Sequence, residues 1–429
     1  MRTRKFFNHP QKTIMQLGKY SFGTGDRFSM QGEAQLRAML KAAEHGVAIC
    51  PVWNKSNREH KLIGSNPGST RLAADRAVEA LQWKNPYFVD ADHINLSNVD
   101  FFMPHCNFFT IDVADYIGQP AEAAHLKAFI EKNKRFAGKL HIPGIGEEFE
   151  VSEARLRAIG QKFLTAISHA GRIYRHILHN KVNGPFVTEV SMDEVQDAQS
   201  PVEMFFILSM IAAEGIPANT IAPKFTGRFN KGVDYVGNLE QFEKEFEQDL
   251  LVIDYAVKVF GLPEGLKLSV HSGSDKFGLY PIIGRLIKKY DKGIHIKTAG
   301  TTWLEEVIGL ALAGGEALDM VKRIYAGAIS RFDELTAPYA TVIDIRKENL
   351  PTPAAVNAWS GQQLADALRH IPGHQAYNPD MRQLLHVAFK LAAQEGAEYL
   401  RLLEKHKELV GSQVTENIFD RHIKRIFFI

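Results

Sequence analysis

Several short apolar runs in this sequence end in residues able to ligate a metal or move a proton. His93 follows Val89-Asp90-Ala91-Asp92, His271 closes Lys267-Leu268-Ser269-Val270, and His295 lies inside Ile294–Thr298. Three imidazoles brought together beside a carboxylate would form a donor set for a divalent cation such as Zn, Mn, Co or Ni. The chain has 17 histidines, and a lone one is more often structural, so the argument rests on position at the end of an apolar run. His295 shares a face with Lys297 by the two-residue period of a strand, which leaves open whether that face points inward.

Carboxylates accompany the histidines. Asp90 and Asp92, at i and i+2, share a strand face, so their pKa values could be driven apart to give an acid and a base; the alternative is that Asp90 is held in a salt bridge. Glu189, next to Val190 and two residues after Val187, cannot be buried unpaired at low cost, so it is a metal ligand, a general base or the partner of a lysine. The loop His271–Gly278 (HSGSDKFG) combines Ser272 and its backbone amides, suited to an anion or polyol, with Asp275 and Lys276, which could transfer a proton or carry charge. Asp92, Asp275, Glu189 and Lys224 are the candidate catalytic groups. Arg27, Asp26, Ser272, Lys276, Arg228 and Lys297 are the candidate substrate-binding groups. Lys224, Arg228 and Lys231 lie in one loop, and with Arg27 and Lys297 they could hold a carboxylate or phosphate. Such a set beside many hydroxyl-matching groups points to a small, acidic, polyhydroxylated ligand.

The elements that must position these groups alternate between short β-branched or apolar runs and amphipathic helical stretches. Strand candidates are 20–25, 47–53, 87–91, 108–113, 186–190, 219–222, 266–271 and 294–298. Eight such runs predict a (β/α)8 barrel, with an open doubly wound sheet as the alternative. A barrel gathers strand ends into one crevice, and the titratable residues fall at those ends. The alternation is interrupted between the fourth and fifth runs by a helix near 121–136, a segment 139–150 and a long helix 152–179. So long an excursion marks 139–150 as a hairpin or loop and a lid candidate. The stretch 305–320 reads as one buried helix or two short ones. The run 341–345 (TVIDI) could be a further strand. Residues 18–346 are assigned to the catalytic barrel, and 347–429, with helices near 354–369, 379–409 and 414–428, to a helical C-terminal extension that could also make dimer contacts.

Bulk properties exclude several classes. The 429 residues carry 51 Lys and Arg against 49 Asp and Glu, so no charge imbalance calls for nucleic acid or an anionic membrane. The basic N-terminal MRTRKFFNHP lacks the apolar core of a signal peptide and reads as an arm. No apolar stretch is long enough to span a bilayer. Two cysteines, Cys50 and Cys106, suit a reducing, cytoplasmic compartment. Neither GxGxxG at a strand-to-helix junction nor GxxxxGK[ST] is present.

The segments FGTGDRF (22–28), VDADHIN (89–95), VHSGSDKFG (270–278) and GIHIKTAGTTWLEE (293–306), supported by NPDMRQLLHVAFKLAA (378–393) and VTENIFDRHI (414–423), resemble the tagaturonate epimerase family. The resemblance implies a metal-dependent interconversion of tagaturonate and fructuronate by inversion at C4. C4 is β to the ketone and its hydrogen is not acidic, so a metal-assisted retro-aldol cleavage and recombination is the expected route, since transient oxidation would need NAD. On chemical grounds His93, His271 and His295 would hold the metal, with Glu189 as a possible addition. Asp92 and Asp275 would exchange the hydroxyl proton, and Lys224, Arg27 or Lys297 would hold the carboxylate. A metal-dependent aldolase or ketose isomerase acting on a sugar acid is the alternative within this architecture, and a non-catalytic sugar-acid-binding barrel the alternative outside it.

Overall fold

The computed structural model describes residues 17–298 and 301–429. The basic segment 1–10 and the pair Ala299-Gly300 lie outside the described residues. Eight parallel strands close into a barrel: β1 (Tyr20–Gly25), β2 (Ile49–Ser56), β3 (Phe88–Ile94), β4 (Phe108–Asp112), β7 (Val187–Ser191), β8 (Thr220–Ala222), β9 (Lys267–His271) and β10 (Ile294–Thr298). β10 pairs back onto β1, with Ser21 opposite His295 and Gly23 opposite Lys297, which rules out the open sheet. All eight strands lie where the apolar runs predict them.

Alternation along each strand divides the side chains between two environments. Val89, Phe109, Val190, Leu268 and Ile296 point outward and are buried under the helices. Cys50, Val52, Phe88, Phe108 and Val187 form a separate apolar plug inside the barrel floor. Because that plug seals the lower barrel, the inward residues nearer the C-terminal strand ends are free to be polar. Gly23 makes room for them: a Cβ there would stand 3.1 Å from Lys297 Cγ and 3.4 Å from His295 Cε1.

The excursion after β4 is helical, and at its centre β5 (Gly138–Leu140) and β6 (Phe149–Val151) form an antiparallel hairpin. Ser152 caps the 28-residue helix Glu153–Asn180 by accepting from Arg155 N at 3.1 Å, and Leu156, Ile159, Phe163, Ile167 and Ala170 make its buried stripe. The lid expected at 139–150 is not positioned as one. Glu147 pairs with Lys244 at 3.3 Å and accepts from Gln248, so the hairpin is fastened to the outer helix Leu239–Phe260 and braces the barrel wall.

After β10 the chain forms Thr301–Ala313 and Gly315–Ser330, separated at Gly314, so 305–320 is two helices. The expected strand at 341–345 is unpaired coil. Its backbone instead serves neighbouring loops, Val342 O accepting from Lys231 N at 2.8 Å and Asp344 N donating to Gln383 Oε1 at 2.9 Å. The predicted helix 379–409 is broken at Ala388, Gly396 and His406. These C-terminal helices and Thr301–Ala313 share a second apolar core around Trp303, Leu304, Leu384 and Leu385.

The last helical stretch, Lys407–Glu416 continuing through a π-helical turn Asn417–Ile423 to Lys424–Phe427, returns to the barrel. Thr415 Oγ1 donates to Ala34 O at 2.8 Å in the helix Gly32–Glu44. Gly284 in the helix Tyr280–Lys289 lies directly against the Ile426 carbonyl. Residues 407–427 therefore pack between the first helix of the outer ring, Gly32–Glu44, and the helix Tyr280–Lys289. Their Val414, Ile418, Ile423 and Ile426 belong to the barrel core. No helix among the described residues is long and apolar enough to cross a membrane.

Candidate active site

Inward residues above the apolar plug form two polar layers. In the lower one Lys297 Nζ lies 2.8 Å from Asp90 Oδ2, 2.7 Å from Asp92 Oδ1 and 3.4 Å from Glu189 Oε1, and 2.8 Å from Thr110 Oγ1. One ammonium thus holds three carboxylates, and that attraction outweighs burial to raise the lysine pKa well above normal. Asp90 and Asp92 are split, and the salt bridge expected for Asp90 as the alternative is present as well. Burial lifts Asp90 to about 6 despite Lys297. For Asp92 burial acts in the same direction, but Lys297 and His93 overcome it and hold the carboxyl at about 2. Glu189 is similarly kept ionised against burial by Lys297 and His271; it accepts from Thr220 Oγ1 at 2.7 Å.

The upper layer contains His93 and His271, with ring centroids 5.3 Å apart and planes at 80°. His271 Nε2 is 2.8 Å from Glu189 Oε1, and its Nδ1 is 3.1 Å from Asp193 Oδ1. His93 Nδ1 is 3.3 Å from Asp112 Oδ2, and its Nε2 is 3.8 Å from Asp92 Oδ1. The register between β3 and β4 slips from Ala91 to Ile94, and His93 has φ +52°. That conformation is unfavourable for a residue with a Cβ and turns the ring toward the barrel mouth.

Donor atoms of His93, Asp193 and His271 lie within 4.8 Å of one another, as do those of His93, Asp112 and Glu194. Two overlapping clusters of metal-ligating groups therefore share His93. Burial alone would lower both imidazole pKa values. Asp193 nevertheless raises His271 to about 9, and Asp92 and Asp112 raise His93. An excess of carboxylate that draws protons onto two imidazoles provides the electrostatic setting a divalent cation would neutralise.

His295 faces inward but lies one layer deeper. It is fully buried, with Nδ1 2.9 Å from Ser21 Oγ and its ring 5.3 Å from that of Phe108, and burial lowers its pKa to about 3. It is not among the clustered donors. Asp275 is also elsewhere: Arg382 Nη2 at 2.6 Å, His370 Nδ1 at 3.3 Å and His422 Nε2 at 3.3 Å surround it. The rest of the 271–278 loop is similarly engaged, Ser272 donating to Lys297 O at 3.0 Å and Lys276 to Asn230 O and Val233 O. The loop thus ties β9 to the C-terminal helices.

Asp26 accepts from Gln31 N at 2.7 Å, and burial raises its pKa. Arg27 pairs with Glu59 at 3.0 Å and lies 4.0 Å over the Phe389 ring. Arg228 is exposed and pairs with Asp344 at 3.1 Å. Lys224 is half-buried just past β8, and its ammonium makes no hydrogen bond or ion pair among the described residues. The sequence reading missed Asp112, Asp193 and Glu194. Asp112 ends the β4 run, and Asp193-Glu194 follows β7 by two residues, the same signal that singled out Asp92 and His93.

A family model for UxaE, tagaturonate epimerase, matches residues 1–426. The tagaturonate/fructuronate epimerase of Thermotoga maritima is 28% identical over 436 residues, spanning 98% of this chain and 83% of that protein. The glycerol-complexed crystal structure of the fructuronate-tagaturonate epimerase UxaE from Cohnella laeviribosi is 25% identical with a TM-score of 0.77, covering 95% of this chain and 81% of the other. A second form with two glycerols gives a TM-score of 0.78 at 24% identity, covering 96% and 83%. With the barrel, the histidine–carboxylate clusters and a family match across almost the whole length, this chain belongs to the tagaturonate epimerase family and is a carbohydrate epimerase that interconverts tagaturonate and fructuronate at C4.

Proposed function

We propose that His93, His271 and Asp193 hold a divalent cation of the Zn, Mn, Co or Ni class, and that C4 is inverted by breaking and remaking the C3–C4 bond. The observation that carries this reading is the convergence of those three donors within 4.8 Å at the barrel mouth. When bound there, the cation would act as a Lewis acid on the C2 carbonyl.

The remaining work falls to this chain's side chains. Asp92, held by Lys297 at 2.7 Å and ionised at neutral pH, accepts the proton of the C4 hydroxyl. The C4–O electrons form an aldehyde, and the C3–C4 pair moves into C2–C3 while the carbonyl pair moves to O2. The products are a three-carbon enediolate and a three-carbon aldehyde acid. The aldehyde turns its other face, C3 attacks, and O4 takes back the proton held on Asp92, which returns that carboxyl to its ionised form. Lys297 is engaged by three carboxylates, so it acts through Asp92 as a positioning residue and not as a carboxylate clamp.

The test is incubation of protein loaded with each metal in turn with fructuronate, followed by NMR. A tagaturonate–fructuronate pair alone is expected. Steady release of fragments would indicate an aldolase, and exchange between C1 and C2 a ketose isomerase.

A further inference from the structure

Cleavage of C3–C4 leaves the substrate's carboxylate on the C4–C6 fragment, the piece that has to turn over without escaping. We infer that Arg58 and Lys231, converging on Tyr339 beside Arg27, form the anion site that holds this carboxylate and tethers the aldehyde fragment while it turns. This inference rests on the retro-aldol reading above.

The three groups come from three separate parts of the chain. Arg58 lies on the short helix Asn57–Ile63 after β2, Lys231 in the loop after β8, and Tyr339 in the segment leading to the C-terminal helices. Arg58 Cζ is 4.8 Å and Lys231 Nζ 5.8 Å from the centroid of the Tyr339 ring. Lys231 is fixed by its backbone amide, which donates to Val342 O at 2.8 Å. Arg58 is exposed and Lys231 partly buried; among the described residues neither the guanidinium nor the ammonium has a carboxylate or hydrogen-bond partner, whereas Arg27 is paired with Glu59.

Lys231 is partly withdrawn from water beside Arg58 and Arg27, a position that is costly for an ammonium unless an anion joins it. Burial lowers the pKa of Lys231, and Arg58 and Arg27 lower it further, against Glu59 and Glu194. A ligand carboxylate reverses that balance. The cluster adjoins the reaction centre on two sides: Glu194 belongs to the His93 cluster, and Glu59 is close enough to Asp92 to feel its charge. Arginine supplies a planar fork for the two oxygens and lysine a mobile point charge.

The experiment uses L-glycerate, which is the C4–C6 fragment with its aldehyde reduced, and glycerol, which lacks the charge. Titration calorimetry on the full-length protein is expected to show glycerate affinity falling about tenfold to hundredfold in the double variant R58M/K231M. Glycerol affinity should be unchanged, and R58K/K231R should retain glycerate binding. With fructuronate, the double variant should have a raised KM and should release dihydroxyacetone and the three-carbon aldehyde acid, visible by NMR, where the native enzyme releases none. Equal glycerate binding in native and double variant overturns the site, as does a lowered melting temperature with unchanged KM, which would make the Tyr339 contacts mere packing. Turnover by the double variant with a raised KM but no fragment release, with the glycerate difference intact, overturns the retro-aldol reading and leaves the anion site standing.

Discussion

His93 and His271 stand edge to face with ring centroids 5.3 Å apart, and Asp193 lies 3.1 Å from His271 Nδ1. Neither histidine is close to the other in sequence; β3 and β9 bring them together across the barrel mouth. Replacing His271 by Ala is expected to remove bound metal and turnover together, and Asp193→Asn to weaken metal affinity by about 10–100-fold. Metal analysis after dialysis, run beside an epimerase assay, checks both. Full metal stoichiometry in His271→Ala would refute its ligand role.

Lys297 is the hub of the lower layer. Lys297→Met would leave Asp90, Asp92 and Glu189 buried without their shared cation, a loss of about 3–5 kcal/mol by the usual cost of breaking a buried pair. Urea denaturation should show a lower midpoint. A variant as stable as the native protein would mean that the carboxylates are compensated from elsewhere.

His295 predicts an acid limit. Its pKa is about 3 when folded against 6.5 in the unfolded chain, so between those values the unfolded state binds a proton that the folded state does not. Stability is unaffected by this group above pH 6.5 and falls as pH drops from 6.5 toward 3, by up to about 4–5 kcal/mol. His295→Gln keeps a partner for Ser21 and removes the titration. Its stability loss between pH 7 and pH 4 should be smaller than that of the native protein; equal losses would sink the assignment.

Strand positions and the polar strand ends were legible because both follow local rules: apolar runs of four to seven residues, and inward or outward direction by parity. Asp90, Asp92 and Glu189 were found this way, and Lys297 joined them as their partner. Depth was not legible. His295 and Lys297 share a face, yet one lies beside Phe108 and the other at the carboxylates, because sequence parity says nothing about layer. Asp275 was chemically plausible, but its partners Arg382 and His422 lie more than a hundred residues away, and no local pattern announces them. Arg58 and Tyr339 were overlooked for the same reason.

Arg382 should separate stability from chemistry. Its side chain is fully buried and bonds Asp275 Oδ2, Gly232 O and Leu368 O. Arg382→Met is expected to cost about 3–5 kcal/mol by stranding Asp275, while the folded fraction keeps its kcat. Thermal melts beside single-turnover assays test this; a large loss of kcat without destabilisation would move Asp275 into the reaction.

The outer ring of helices is completed by residues 407–427, which bring Ile426 onto Gly284 and Thr415 onto Ala34. In synthesis this segment follows the eighth strand by more than a hundred residues. Until it has emerged, the barrel has all eight strands but a gap in its wall, and Asp275 lacks His422. Closing the wall is therefore a late step of folding, and a chain cut short before residue 407 would leave apolar barrel surface bare and prone to aggregate.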